Sequence, residues 1–216
     1  MVDDPRRPDP AFAAACARLP DATQLEPWVG WCLAARPPVL YLGIGAGRLA
    51  VPLAAQGVEL VGVDAHPGML ETLGRRLPGI QLHRALIEEL NLAFRFDLVI
   101  GPSSVLGAAA NLRAAARHLA PGGRIGLELM NPHWLLAGDH PGVRVRERSG
   151  DQVWIEVDYP GGYVQEAAAR LRWPEAVEDY LDECGLRLLW MGGGDSLVDN
   201  PTYTLMTELG SLNAAD

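Results

Sequence analysis

Hydrophobic positions along this chain follow two periods, and the change from one to the other divides it. Between Val39 and Met130, short apolar runs alternate with segments of helical spacing. "VLYL" (39–42), "VELVGVD" (58–64), "IQLHRA" (80–85), "FDLVIG" (96–101) and "RIGLELM" (124–130) read as buried strands. "RLAVPLAAQG", which stops at Gly57, reads as a helix, as does 67–77 with Pro67 in its first turn. "AANLRAAARHLA" (109–120) is a third helix, closed by "PGG". Upstream, two helices are expected between Ala11 and Ala35, broken around "LPDATQ", with Asp21 or Thr23 as N-caps. Downstream the pattern becomes period two: residues 143–173 carry the turn signals "SGDQ" and "YPGGY" and predict an antiparallel meander. A helix then starts at Pro174 and ends before Gly185, followed by "LRLLWM" and "TYTLMTEL", expected to pair antiparallel.

Strict alternation of strand and helix predicts a parallel sheet with right-handed crossovers and helices on both faces. At 216 residues, 49% hydrophobic and 21% charged, the chain predicts one domain rather than two large ones. Its expected parts are a disordered acidic, proline-rich arm (1–10), N-terminal helices (11–37), a ligand-binding core (38–131), an antiparallel β lid (132–173) and a last helix with its hairpin (174–216).

Charge narrows the partners. Eighteen Lys and Arg against 27 Asp and Glu leave a net charge of −9, and the arginines are scattered, which argues against a nucleic-acid partner. No apolar stretch has the length of a membrane span or of a signal peptide core. Cys16, Cys32 and Cys184 are odd in number and far apart, so neither a disulfide framework nor a metal site is expected, and the compartment expected is the cytoplasm.

The candidate chemistry begins at "VLYLGIGAGR", a strand running into a glycine turn and then a helix. That corner faces phosphates or nucleotides in open α/β sheets. Gly43, Gly45 and Gly47 are spaced G-x-G-x-G; a dinucleotide fingerprint would need glycine at position 48, which is Arg48, and no Gly-Lys-Ser/Thr follows for a P-loop. Asp64 ends the second strand seventeen residues after Gly47, where a carboxylate can accept both hydroxyls of a ribose or cap the helix at Pro67.

These residues resemble the class I S-adenosylmethionine-dependent methyltransferases. "VLYLGIGAGR", "LVGVDAHPGML", "FDLVIGPSSVL" and "HLAPGGRIGLEL" match that family's motifs over about residues 23–131, and the closing strands extend the likeness by topology. The resemblance implies a Rossmann-like, mostly parallel seven-stranded sheet with an antiparallel C-terminal hairpin, S-adenosylmethionine as cofactor, and a small-molecule substrate. It assigns cofactor binding to Tyr41, Gly43, Gly45, Gly47, Asp64, Ala65, Met69, Leu86 and Gly101, with Asp64 on the ribose, Met69 against adenine and the Gly101 carbonyl near the ammonium.

Two positions depart from the pattern. The family's first-strand acid is Tyr41 here, and the acid after the third strand is Ala85, with Glu88 or Glu89 as neighbouring substitutes. A fold relative that does not methylate, such as a cyclase or a scaffold subunit, therefore stands as the alternative. For a base, the loop after the fifth strand, "NPHWLLAGDHPG", offers His133, Asp139 and His140 at the carboxyl edge of the sheet. His66 is expected to be a rim or capping residue, and His83 and His118 structural or solvated. Tyr159, Tyr163, Trp28 and Trp31 are expected to line an acceptor pocket or the core. Arg144, Arg146 and Arg148 on one face of their strand, across from Glu156 and Asp158, are expected to form cross-strand charge pairs.

Overall fold

A computed structural model describes residue 4 and residues 6–138, 140–193 and 200–210. Helix α1 (Pro10–Cys16) and α2 (Trp28–Ala34) precede the alternating region. There β1 (Val39–Leu42), α3 (Ala50–Ala55), β2 (Leu60–Asp64), α4 (Pro67–Arg76), β3 (Gln81–Arg84), β4 (Phe96–Gly101), α5 (Ala109–Arg117) and β5 (Leu119–Met130) follow in turn. Then come α6 (Pro132–Leu136), the meander β6 (Val143–Ser149), β7 (Gln152–Tyr159) and β8 (Tyr163–Arg170), then α7 (Val177–Glu183), β9 (Leu186–Gly192) and β10 (Thr202–Leu209).

Seven strands form one sheet in the order β3-β2-β1-β4-β5-β10-β9. The first five are parallel; β10 pairs antiparallel with both β5 and β9. Alternation along β1 sorts the core onto two faces. Leu40 and Leu42 pack with Leu112 and Ala115 of α5 and with Val177, Tyr180 and Leu181 of α7. Val39 and Tyr41 pack on the other face with Trp28 and Cys32 of α2, Ala50 and Leu53 of α3, and Leu73 of α4. All four β1 side chains are buried, which is why its sequence shows no polar alternation.

The meander is a separate three-stranded antiparallel sheet, β6-β7-β8. The charge pairing expected across it is present for two of the three arginines: Arg144 binds Glu156 at 3.1 Å and Asp158 at 2.6 Å, and Arg146 binds Glu156 at 2.6 Å, whereas Arg148 donates to the Gly150 carbonyl at 3.0 Å. Beneath these exposed pairs, Val153, Ile155 and Leu171 pack on Leu135 of α6.

Several local expectations change. Strand β5 begins at Leu119 rather than Arg124, because Leu119 already pairs with Phe96 and the Phe96 N–H donates to the His118 carbonyl. Neither Asp21 nor Thr23 caps α2. Its N-cap position is Pro27, without a side-chain cap, and the Asp21 carboxylate instead takes Arg76 at 2.7 and 2.8 Å. Residues 132–136, expected within a loop, form α6, capped by Asn131 with Pro132 in its first turn. In the expected N-terminal arm, residues 1–3 and 5 lie outside the described residues, but Asp9 caps α1 by accepting from the Ala11 N–H at 2.9 Å. Asp139 also lies outside the described residues.

Candidate functional site

Gly43 and Ile44 both donate their N–H groups to the Val63 carbonyl, at 2.8 and 3.0 Å, so the turn after β1 hooks onto the end of β2. The Asp64 carboxylate completes the joint. One oxygen accepts from the Gly45 N–H and the other from the His66 N–H, each at 2.8 Å. Asp64 therefore does not cap α4. His66 does, with Nδ1 accepting from the Gly68 N–H at 3.1 Å. The partner of His66 Nε2 is the Asp9 carbonyl at 2.8 Å, which can only accept, so the ring is the Nε2–H tautomer. Burial pushes the Asp64 carboxyl up from its ordinary value, opposed by those backbone donors.

Around this joint lies a cavity of about 680 Å³ at the carboxyl edge of the sheet. Of the residues that the resemblance assigns to the cofactor, Tyr41, Gly43, Gly45, Asp64, Ala65, Met69 and Leu86 line it. The glycines differ in what they leave room for. A Cβ on Gly45 would meet nothing within 4 Å, whereas one on Gly47 would stand 2.5 Å from Leu73 Cδ1. Gly47 is thus a packing position outside the lining, and Gly101 is outside it too, closed over by Leu106.

The N-terminal segment closes one side. Pro8, Phe12 and Cys16 line the cavity, and Phe12 meets Tyr159 edge-on with ring centroids 5.3 Å apart. Asp9 ties the segment down, because its carboxylate also accepts from the Tyr163 hydroxyl at 2.9 Å. Arg6 pairs with Glu88 and Glu89 at 3.3 and 2.8 Å. Trp28 and Tyr159 line the cavity, whereas Trp31 packs between Trp28 and Trp190.

One lining carboxylate escaped the sequence reading. Glu128 of β5 accepts from the Ser103 N–H at 3.1 Å and faces the cavity beside Tyr41 and Ser103. Its signal was an acid inside an apolar strand, "GLELM". Ser103 and Ser104 hold it with φ of 56° and 61°, the left-handed region that side chains rarely adopt.

Comparison with known proteins agrees with this architecture. A family model described as a methyltransferase domain matches residues 39–123. An uncharacterized methyltransferase of Mycobacterium tuberculosis is 30% identical over 160 residues, which are 70% of this chain and 66% of that protein. The chain belongs to the class I S-adenosylmethionine-dependent methyltransferase family. It spans slightly under two thirds of the length of that relative. The fold is shared with the CcbJ methyltransferase from Streptomyces caelestis (TM-score 0.66, 21% identity, covering 95% of this chain and 94% of that one). It is shared also with the glycopeptide N-methyltransferase MtfA complexed with S-adenosylmethionine (TM-score 0.67, 19% identity, 89% and 96% covered).

Within this family's sheet, the histidines expected to supply a base stand away from the cavity. His133 Nε2 lies 2.9 Å from Glu175 and its ring meets Trp173 edge-on, while His140 stacks on Trp134 with centroids 3.6 Å apart. The reason is α6, which turns this segment onto the meander core. His118 is structural as expected: it is buried, with Nδ1–H donating to the Ala114 carbonyl and Nε2 accepting from the Leu92 N–H. Among the described residues, no three His, Cys, Asp or Glu side chains are grouped as a metal site, and no helix is long and apolar enough to cross a membrane.

Proposed function

We propose that this chain binds S-adenosylmethionine in the cavity and transfers its methyl group to a small-molecule acceptor. The observation that carries the reading is the joint of Gly45 and Asp64 at the cavity wall. Its backbone fixes a carboxylate where two vicinal hydroxyls can donate, and the Gly45 position leaves the space next to it open. About 680 Å³ is within the usual range for a pocket that encloses a drug-sized ligand.

The cofactor supplies a methyl group on a sulfonium, already activated for in-line displacement by a nucleophile. The rest is the work of this chain. Each Asp64 oxygen keeps a lone pair beyond its backbone donor and accepts one ribose hydroxyl. Met69, Ala65 and Leu86 flank the adenine side with apolar surface. Phe12, Trp28 and Tyr159 exclude water from the acceptor and hold it near the reacting atoms. A cytoplasmic setting suits Cys32, a buried thiol that burial pushes up to about 12. The net charge of −9 suits a small acceptor rather than nucleic acid.

Calorimetric titration with S-adenosylmethionine and S-adenosylhomocysteine is expected to give micromolar dissociation constants, and an acceptor screen is expected to release S-adenosylhomocysteine. No binding up to millimolar ligand would overturn the reading in favour of a repurposed fold. Because His133 and His140 sit off the cavity, His133→Ala and His140→Ala are expected to leave turnover within about threefold in a steady-state assay.

A further inference from the structure

The proposed cofactor ends in an amino acid, so it carries an ammonium that must be met by negative charge inside a partly desolvated cavity. Among the described residues, three carboxylates line that cavity: Asp64, Glu88 and Glu128. Asp64 is held by the Gly45 and His66 N–H groups at the end of β2, and Glu88 is paired with Arg6. Glu128 has a backbone N–H from Ser103 and a hydrogen bond with the Thr202 side chain. Among the described residues, no arginine makes an ion pair with it.

Position along the sheet separates the three further. With ribose on Asp64 at β2, the adenine side extends toward β3, where Ala85, Leu86 and Ile87 line the cavity. The opposite direction leads over β1 and β4 to β5, three strands or about 14 Å of backbone away. Tyr41 pairs in register with Ile100, and Ile100 with Gly126. Glu128, two residues beyond Gly126, therefore stands on the same face as Tyr41 and one pleat nearer the carboxyl edge.

We propose that Glu128 receives the ammonium of the cofactor's amino-acid end, beside the wall formed by Tyr41. The inference rests on the cofactor reading above. The turn at Ser103 and Ser104 serves as the support. Ser103 N–H holds the Glu128 carboxylate and Ser104 N–H holds its main-chain carbonyl, both at 3.1 Å, through two residues at positive φ. Burial pushes the Glu128 carboxyl up, opposed by the Ser103 N–H, by Arg48 of the same cavity wall and by Thr202, and an arriving cation favours the charged form further.

The test compares two ligands in calorimetry: S-adenosylhomocysteine, and 5′-methylthioadenosine, which keeps the nucleoside and thioether but lacks the amino acid. Glu128→Gln keeps an oxygen for the Ser103 N–H and removes only the charge. It is expected to weaken S-adenosylhomocysteine roughly tenfold to a hundredfold and to leave 5′-methylthioadenosine within about twofold. Its melting temperature is expected to be no lower than that of the wild type, because burial disfavours the carboxylate. Glu128→Asp, which keeps the charge on a shorter stem, is expected to fall between the two proteins. Equal weakening of both ligands would make Glu128 a structural residue and overturn the proposal. So would unchanged S-adenosylhomocysteine affinity, which would leave Glu128 to an amine on the acceptor. If the wild type binds neither ligand, the cofactor reading itself fails.

Discussion

Asp64→Ala is expected to raise the dissociation constant for S-adenosylhomocysteine by roughly a hundredfold to ten-thousandfold. Two hydrogen bonds to a charged acceptor disappear, each contributing about 1.5–3 kcal/mol, and each 1.4 kcal/mol is about a factor of ten. The same change releases the Gly45 and His66 N–H groups, so the turn loses its tie to the end of β2. Asp64→Asn is expected to recover little, since its amide nitrogen would face one of those two donors. Stability should respond far less than binding. Burial raises the Asp64 carboxyl in the fold, so its stabilising share is complete below the ordinary carboxylate range and is lost as pH rises through the raised value. At neutral pH alanine removes a charge that weighs against the fold, which offsets part of the lost anchoring. Calorimetry together with thermal melting checks both halves. Unchanged affinity would remove Asp64 from the site.

Gly47→Ala and Gly45→Ala are expected to fail in different ways. At Gly47, φ is +92° and the added Cβ would sit 2.5 Å from Leu73 Cδ1, within the core of α4. Leu73 is fully buried, so it would have to shift against its core neighbours. A side chain in the left-handed region costs about 1–2 kcal/mol and overpacking about 1–3. The sum, roughly 2–5 kcal/mol, corresponds to a fall in melting temperature of roughly 4–20 °C for a chain of this length. At Gly45 the φ of +57° carries the smaller backbone cost alone, because the methyl group enters open space. That space is the cavity proposed for the cofactor, so Gly45→Ala is expected to lose cofactor affinity with a melting temperature within a few degrees of the wild type. Thermal melts and titrations of the two variants separate these outcomes. Equal loss of stability in both would show that the glycines serve the backbone alone.

Local rules made much of this molecule legible from its residues. The buried runs at Val39–Leu42, Leu60–Asp64 and Phe96–Gly101 announce strands because burial on both faces leaves them apolar apart from the half-buried Asp64 and Asp97 near their ends. The glycine turn and Asp64 are legible because a strand, a turn and a helix start are contiguous, so the site they make is local in sequence. The cross-strand pairs of Arg144 with Glu156 and Asp158 follow from period two and a short turn. Tertiary contact decided the rest. Strand β5 begins at Leu119 only because Phe96 pairs there, and Asp21 leaves its capping role for Arg76, 55 residues away. His133 and His140 carry the right chemistry in a segment whose apolar Leu135 is drawn to the meander, and burial of that leucine sets where both rings point. Asp9, His66 and Tyr163 meet although each is an ordinary polar residue in its own segment. Glu128 becomes a site residue because β5 lies two strands from β1 and turns the same face toward the cavity. Hydrophobic spacing and backbone preference act over a few residues and are written in order along the chain. Desolvation and charge depend on what the folded chain brings alongside.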